Sequence, residues 1–255
     1  GLGLGKASCR EIDQDLMREN KNNELLASAF LISTIVIAMA IMMLPDKESR
    51  KAVEAGNFTD KEISLLANSN STMHVYTVND SSETRVLRMK SSALSDSAIA
   101  SKTFRTLSAK MLATVESPEE DGVGIAAPQI GINRRVIAVK RYDKPGEPFE
   151  VYANAKLDTL IGPMAKGPEG CLSVPPMKGI VARYSAVVVS YTDQNTFKTL
   201  RDTVKGYSAI IFQHECDHLD GILYIDKADT VYVDKDWKAQ IEKSKKALKT
   251  ARTSH

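Results

Sequence analysis

The sequence is poor in several features that define common classes of protein. Three cysteines, Cys9, Cys171 and Cys216, are too few for a disulfide framework. The formal net charge of +2 is too small to predict nucleic-acid binding, and we expect no specific DNA binding. No internal repeat or low-complexity array is present. A chain of 255 residues with 43% hydrophobic content instead suits one sizeable domain with extensions.

The chain also lacks a nucleotide-binding loop, although one glycine-containing segment is similar to such loops at first sight. This segment begins at Gly122, continues through Gly124 as Gly-Val-Gly-Ile-Ala-Ala-Pro-Gln, and ends at Gln129. It has neither the third glycine of the dinucleotide fingerprint nor the Lys-Ser/Thr of a P-loop. Its glycines instead allow close approach of the backbone to another group.

The most informative feature that is present is the segment Gln-His-Glu-Cys-Asp-His at 213–218. Two histidines four residues apart on a helix project from one face, about one turn apart, which suits two ligands of one metal ion. Glu215, directly after the first histidine, can act as a general base without binding the ion. The alternative interpretation of His214 and His218 is a buried, hydrogen-bonded pair.

A catalytic metal site usually has three protein ligands and one open position, so we expect a third ligand. Downstream of the helix, the candidates are Asp220, Asp226 and Asp229. Upstream, Cys171 lies in a loop rich in glycine and proline, where a buried hydrophobic cysteine is less typical. Cys216 faces well away from the histidines around the helix axis, so we expect it to lie in the core.

Three segments, taken in chain order, resemble the peptide deformylase family. That family carries Gly-x-Gly-x-Ala-Ala-Pro-Gln, then Glu-Gly-Cys-Leu-Ser, then Gln-His-Glu-x-Asp-His. The chain contains all three, at 122–129, 169–173 and 213–218. The resemblance covers roughly residues 73–233. It implies removal of the formyl group from the N-terminal methionine of peptides and nascent proteins, with release of formate.

The resemblance also implies which residues bind the metal. Cys171, His214 and His218 match the family's metal ligands, and Glu215 matches its catalytic acid/base. One thiolate and two imidazoles suit Zn²⁺, Fe²⁺, Co²⁺ or Ni²⁺. The resemblance implies Fe²⁺ as the usual ion, with Zn²⁺ in some members.

Other matching positions imply how the substrate would be held. Gln129 matches a side chain that helps to hold the oxyanion, together with the backbone N–H of Leu172. The backbone of Gly124 would lie along the substrate. The pocket for the methionine side chain would be lined by apolar residues that could also be plain core: Val123, Ile210 and Ile211.

Hydrophobic periodicity predicts short strands followed by the long helix that carries the motif. Strands are expected at 73–76, 135–140, 150–157, 186–191 and 196–204, and an earlier helix at 97–115. These elements indicate an α+β fold with antiparallel β-sheets packed around the central metal-binding helix, in a catalytic domain at 73–233.

The N-terminal region contains a run of 20 residues without a charge, at 25–44. That length can cross a bilayer of about 30 Å at 1.5 Å per residue, so we expect a hydrophobic membrane helix. A cleaved signal peptide and a buried helix are the alternatives. A polar segment, 1–24, precedes the run, and a polar linker is expected at 45–72. The protein would be membrane-associated in a bacterium if the run is retained, and cytoplasmic otherwise.

The C-terminal tail, 234–255, is predicted to form a basic helix. Between 235 and 252 it has seven Lys/Arg and two acidic residues, and Asp234 is a candidate N-cap. A docked or solvated terminal helix is one interpretation. The other is an anionic partner, either ribosomal RNA or acidic lipid.

Two other functions remain open at this stage. A metallopeptidase would share the His-Glu-x-x-His helix, although Cys171 as third ligand argues against it. A catalytically silent, membrane-tethered binder of formylated peptides is disfavoured by the presence of Glu215 and Gln129.

Overall fold

The computed structural model describes residues 51, 53, 55–117, 120 and 122–236. The chain divides into Gly1–Arg50 and Lys51–His255, and only the second unit contains described residues. The predicted membrane helix at 25–44 lies outside them, as does the predicted C-terminal helix from 237 onward. Within the described ranges, no helix is long and apolar enough to cross a membrane.

Four helices come first in the described part of the chain. They are α1 (Asp60–Leu66), α2 (Ser81–Leu87), α3 (Asp96–Ile99) and α4 (Lys102–Val115). Each begins after a polar residue whose side chain accepts a hydrogen bond from an amide of the first turn, which satisfies donors that have no partner within the helix. These N-caps are Thr59, Asp80, Ser95 and Ser101.

A six-stranded antiparallel sheet follows. Its strands are β1 (Gly124–Ala126), β2 (Val136–Lys140), β3 (Phe149–Gly170), β4 (Met177–Thr192), β5 (Thr199–Lys205) and β6 (Thr230–Val233). The first five are hydrogen-bonded in chain order, and β6 pairs with the beginning of β4. The fold therefore combines helices with antiparallel sheet, as predicted, although one sheet stands where several were expected.

The motif helix, α5 (Gly206–Leu219), packs against the first five strands. Eleven of its residues are buried, so it is apolar or buried around most of its circumference. Phe212, Cys216 and Leu219 lie in a core cluster with Val187 and Val189 of β4. Cys216 therefore lies in the core, away from the histidines, as the sequence predicts.

The long hairpin of β3 and β4 places the central loop next to this helix. Gly170, at the end of β3, pairs with Lys178 on β4, and the residues between them form the loop that carries Cys171. Two short 3-10 helices, Ala127–Ile130 and Tyr224–Asp226, follow β1 and α5. The three sequence motifs thus occupy the end of β1 with its 3-10 helix, the hairpin loop, and α5.

Several predicted element boundaries are wrong. Residues 73–76 are not a strand, because the Met73 N–H donates to Thr114 Oγ1 (2.8 Å) and the Tyr76 N–H to the Gln129 carbonyl (2.7 Å). The helix predicted at 97–115 is interrupted, because the Ser101 side chain caps a new helix. Residues 45–72 are not wholly a linker, since Thr59 and Glu62 form a capping box that begins α1.

The strand predictions located the sheet but not its extent. β2 differs from the predicted 135–140 by one residue, whereas β3 and β4 run far beyond the predicted 150–157 and 186–191. β5 begins later than predicted, because Asp193 accepts hydrogen bonds from the amides of Asn195 and Thr196 and forms a turn there.

Candidate active site

The structure brings the three predicted metal ligands together. One ligand atom from each of Cys171, His214 and His218 lies within 4.8 Å of the others. Cys171 Sγ is 3.2 Å from His218 Nε2. The hairpin loop supplies the sulfur, and one face of α5 supplies both imidazoles. Two nitrogens and one sulfur at this spacing suit a transition-metal ion.

Glu169 orients the first histidine. The Nδ1 atom of His214 lies 2.9 Å from Glu169 Oε2, which leaves Nε2 of His214 for the ligand cluster. Arg183 in turn donates two hydrogen bonds to the Glu169 carboxylate, at 2.7 and 2.9 Å. These contacts hold the pKa of Glu169 down at about 2 although its burial acts to raise it. A carboxylate that fixes a ligating imidazole is a common support for metal sites.

The surroundings shift the pKa values of the two histidines in opposite directions. Burial acts to lower the pKa of His214, but hydrogen bonds with Cys171 and Glu169 raise it well above 6.5. Burial and the charge of His214 hold the pKa of His218 well below 6.5. The sulfur and the two imidazole nitrogens are donors that suit a transition-metal ion, and their spacing fits one ion held among them.

Glu215 is buried beside this cluster without a fixed partner. Its Oε2 atom has no hydrogen-bond partner among the described residues. Burial, followed by the charges of Glu169 and Asp217 and partly offset by those of His214 and Arg183, raises its pKa to about 7. A carboxyl group with such a pKa can both accept and donate a proton near neutral pH.

Gly124 makes room for this carboxylate. An added Cβ at Gly124 would lie 2.5 Å from Glu215 Oε1 and 2.7 Å from Ile211 Cγ2. These contacts are shorter than Cβ atoms normally make, so a larger residue at this position would displace the Glu215 carboxylate and the Ile211 side chain. The glycines of the first motif therefore serve close backbone approach, as the sequence indicates.

Gln129 points its amide toward the ligand cluster. Its Oε1 accepts a hydrogen bond from the Ala126 N–H (2.8 Å), which fixes the side chain. Its Nε2 then donates to Ser173 Oγ at 3.1 Å and lies 3.6 Å from Cys171 Sγ. The backbone N–H of Leu172 has no backbone acceptor among the described residues. Gln129 therefore places an N–H donor beside the Cys171 sulfur, and the N–H of Leu172, the next residue in the chain, is a second candidate donor.

A cleft of about 990 Å³ opens onto these groups. Its lining includes all four residues that were predicted to hold the substrate: Val123, Gly124, Ile210 and Ile211. Ile211 is buried and Ile210 is half-buried. The α5 side of the cleft therefore includes an apolar surface formed by Ile210 and Ile211.

Sequence reasoning missed two side chains in or near the wall of this cleft. Arg183 lines the cleft, but it is buried and bridges Glu169 and Asp217, with its Nη1 atom 2.5 Å from Asp217 Oδ2. Lys110 was not singled out, yet its ammonium donates to three oxygens of the segment that leads to Met73 in the cleft wall. Neither pairing has a local signal, because each joins residues far apart in the chain.

The comparison with known proteins is consistent with this geometry. The model of the polypeptide deformylase family matches residues 72–233. A peptide deformylase of Leptospira biflexa is 38% identical over 149 residues, which are 56% of this chain and 82% of that protein. A peptide deformylase of Symbiobacterium thermophilum is 48% identical over 106 residues, which are 42% of this chain and 48% of that protein.

Solved structures agree in fold. The actinonin-bound class I type b peptide deformylase of Acinetobacter baumannii is 32% identical, with a TM-score of 0.55 over 63% of this chain and 100% of that one. The actinonin complex of a peptide deformylase from Synechococcus elongatus is 30% identical, with a TM-score of 0.54 over 69% of this chain and 86% of that one. The chain therefore belongs to the polypeptide deformylase family and is a metal-dependent hydrolase that removes formyl groups.

Proposed function

We propose that this chain deformylates formyl-methionyl peptides and nascent chains at a metal site formed by Cys171, His214 and His218, with Glu215 as the acid/base. The observation that supports this most directly is the juxtaposition of the ligand cluster with a buried carboxyl group that lacks a partner. Neither a metallopeptidase nor a silent binder is favoured over this function.

The ion is proposed to be Fe²⁺, with Zn²⁺, Ni²⁺ or Co²⁺ as alternatives, because one thiolate and two imidazoles accept all four. The chemistry that a divalent ion supplies in such a site is the acidification of a water molecule, whose pKa falls from about 15.7 to about 7 in favourable cases. Cys171 contributes a negative charge, and Glu169 keeps the His214 ring aligned through Nδ1.

Glu215 moves the proton in this proposal. It takes a proton from the water that attacks the formyl carbon and then gives that proton to the leaving amine. Its pKa of about 7 in the described surroundings suits both steps, because neither protonation state is strongly disfavoured near neutral pH. The absence of a fixed partner for Oε2 leaves that oxygen available for the water.

Gln129 Nε2 and the Leu172 N–H are proposed to stabilise the oxyanion that forms when the formyl carbon becomes tetrahedral. The Gln129 side chain is held before the substrate arrives by the Ala126 amide, and the Leu172 N–H belongs to the hairpin loop and has no backbone acceptor among the described residues. Donors that are already in position cost no reorganisation during the reaction, and removal of one typically lowers kcat by about 10²–10³.

The cleft is proposed to take the methionine side chain against Val123, Ile210 and Ile211, with the backbone of Gly124 alongside the substrate. A peptide substrate is supported by a related structure, since the Acinetobacter baumannii enzyme has been solved with Met-Ala-Ser bound, at 33% identity and a TM-score of 0.54. Methionine suits such a pocket because its unbranched side chain adapts to irregular apolar walls.

The experiment is formate release from formyl-Met-Ala-Ser by protein purified without oxygen, with metal content measured on the same sample. Wild type should release formate and leave the corresponding acetylated peptide intact. Glu215→Gln should keep its metal and lose at least about 10²-fold in kcat, because the proton acceptor is gone. Cys171→Ser should lower metal content. Full activity of metal-loaded Glu215→Gln would refute the role of Glu215.

Two partners and a location are proposed from segments outside the described residues. The basic stretch at 235–252 would contact the ribosome, and the run at 25–44 would contact a membrane. The protein would act in a bacterial cell, where the related enzymes occur. Co-sedimentation with ribosomes and with anionic vesicles at rising salt tests both contacts, because binding through basic residues weakens steeply as salt increases.

A further inference from the structure

The rim of the cleft carries an ion pair that the proposed chemistry does not use. Lys178 Nζ lies 2.8 Å from Asp234 Oδ2, and both residues line the cleft. The Lys178 side chain is 39% exposed and that of Asp234 is 12% exposed, so the cation is the more accessible partner. A charged pair at the mouth of a substrate cleft is in a position to act on the part of a peptide that lies beyond its first residue.

Backbone pairing fixes both members of the pair close to the ligand loop. Lys178 on β4 stands opposite Gly170, the residue before Cys171, and on its other side it pairs with Tyr232 of β6. Asp234 directly follows β6, and its N–H donates to the Pro176 carbonyl at 2.9 Å. Backbone hydrogen bonds of the sheet and of the hairpin loop therefore hold the ion pair near Cys171.

Two other ionisable side chains of the cleft lining, Arg183 and His74, have acidic partners of their own. Arg183 is buried in its pairs with Glu169 and Asp217. His74 lies 2.6 Å from Glu83, which is outside the cleft lining. Asp236 lies next to the pair, and its N–H donates to Asp234 Oδ1 at 3.0 Å. A substrate charge near Lys178 would therefore meet a cation whose charge is already offset by Asp234.

We propose that Asp234 is a specificity-determining residue, which neutralises Lys178 and so lets the cleft accept acidic, neutral and basic residues after the formyl-methionine. The inference rests on the proposed deformylase function. It adds that the charge of the residues after the formyl-methionine does not restrict which peptides are substrates. An enzyme that acts on many different nascent chains needs such tolerance. An unpaired Lys178 would instead favour acidic peptides, and an unpaired Asp234 would favour basic ones.

The test uses amidated peptides of the series formyl-Met-Ala-Ser-Ala, with Glu or Lys placed in turn at the second, third and fourth positions. In wild type, kcat/KM should be similar for Glu and Lys at each position. Asp234→Asn should raise the Glu-to-Lys ratio at one of these positions by about threefold, and Lys178→Met should lower it by a similar factor, the size typical of half-exposed ion pairs. The change should appear in KM and shrink at high salt.

The double variant and a matched control separate charge from general damage. Lys178→Met combined with Asp234→Asn should return the ratio close to the wild-type value, because the double variant removes one positive and one negative charge and so leaves the net charge of the rim unchanged. Asp229→Asn removes the acidic partner of another ion pair, with Lys166 at 2.6 Å, whose members are not part of the cleft lining. That variant should leave the ratio unchanged.

Binding of the reaction products, the same peptides without the formyl group, is measured in parallel by calorimetry. This arm reports on the rim even if no formate is released, so failure of the catalytic proposal and failure of the rim proposal give different results. Two Glu-to-Lys ratios are compared, one of kcat/KM and one of product affinity. The rim proposal is overturned if Asp234→Asn and Lys178→Met leave both ratios unchanged at all three positions, or if the two variants shift the ratios in the same direction.

Discussion

Two buried arginines support the motif helix at neighbouring turns, and they differ in what they leave unpaired. Arg183 bridges Glu169 and Asp217 beside the histidines. Arg141 lies near the start of α5, where it meets Asp143 and Asp202 at 2.7 and 2.8 Å and stands over the Phe212 ring. Both side chains are almost fully buried, at 4% and 2% exposed.

The arginine at the helix start belongs to a network in which every carboxylate has a cation. Besides its two aspartates, Arg141 contacts Glu150, which also pairs with Lys144 at 2.8 Å. At the site, Arg183 satisfies Glu169 and Asp217, yet Glu215 between them in the same low-dielectric region has no partner for Oε2. Glu215, the proposed acid/base, is therefore a carboxyl group whose Oε2 atom these ion pairs do not satisfy, and burial, with the charges of Glu169 and Asp217 adding to it, raises its pKa.

This comparison predicts that the largest effect on the stability of the fold comes from the Arg141 network, which lies away from the proposed metal ligands. Arg141→Met should destabilise the fold by about 3 kcal/mol, the lower end of the range for a buried pair, because it leaves the partly buried carboxylates of Asp143 and Asp202 without their cation. Metal binding by the folded fraction should be unchanged, since Arg141 does not contact the ligand cluster. Urea unfolding followed by circular dichroism, together with a metal titration, measures both quantities. If Arg141→Met lost metal affinity but kept its stability, Arg141 would support the metal site and not the fold.

The converse is expected at the site. Glu169→Gln keeps the shape of the side chain but removes the charge that holds His214 Nδ1. Metal affinity should fall by about 10–100-fold, the usual cost of losing such a support. Competition with a chelator measures it.

Asp202→Asn is the matched control, because Asp202 likewise contacts a buried arginine but lies away from the ligand cluster. Equal metal affinities for Glu169→Gln and Asp202→Asn would show that the two networks do not differ in function.

The candidate site was more predictable from the sequence than the fold around it. Two of the ligand candidates, His214 and His218, follow from the helical repeat alone, and the third, Cys171, lies in a separate short motif that was identified through the family resemblance. The length of β3 was not predictable, because Gly162, Pro163, Gly167 and Pro168 read as a loop, although proline is compatible with a strand edge that has no partner. Beyond Ala153, β3 pairs only with β4 among the described strands.

The cation that joins the two supporting carboxylates was not predictable from the sequence. Arg183 follows the ligand loop in the chain, and nothing near it in the sequence indicates its partners. Only the register of the hairpin, which sets Glu169 opposite Gly179 and Arg183 opposite Ala165, and the packing of α5 bring its guanidinium to two carboxylates. Periodicity predicts that a residue faces inward, but it does not predict which charge it meets there.

The smallest predicted effect is a change in acid stability that distinguishes the network at the helix start. Hydrogen bonding to Arg141 lowers the pKa of Asp143 from 3.8 to about 2, although burial acts in the opposite direction. Because the folded-state pKa is the lower one, this group stabilises the fold above pH 3.8, and that contribution is lost as the pH falls through about 2. Asp143→Asn should therefore reduce the loss of unfolding free energy between pH 4.5 and about 2, as measured by urea titration at several pH values.

Asp193→Asn provides the control for the role of arginine. The pKa of Asp193 is also lowered, first by the hydrogen bonds that it accepts from Thr196, but no arginine is involved. If the Asp143→Asn variant kept the full wild-type acid dependence, the Arg141 contact would not be the source of the shift, and the contrast between the two arginine networks would rest on the metal site alone.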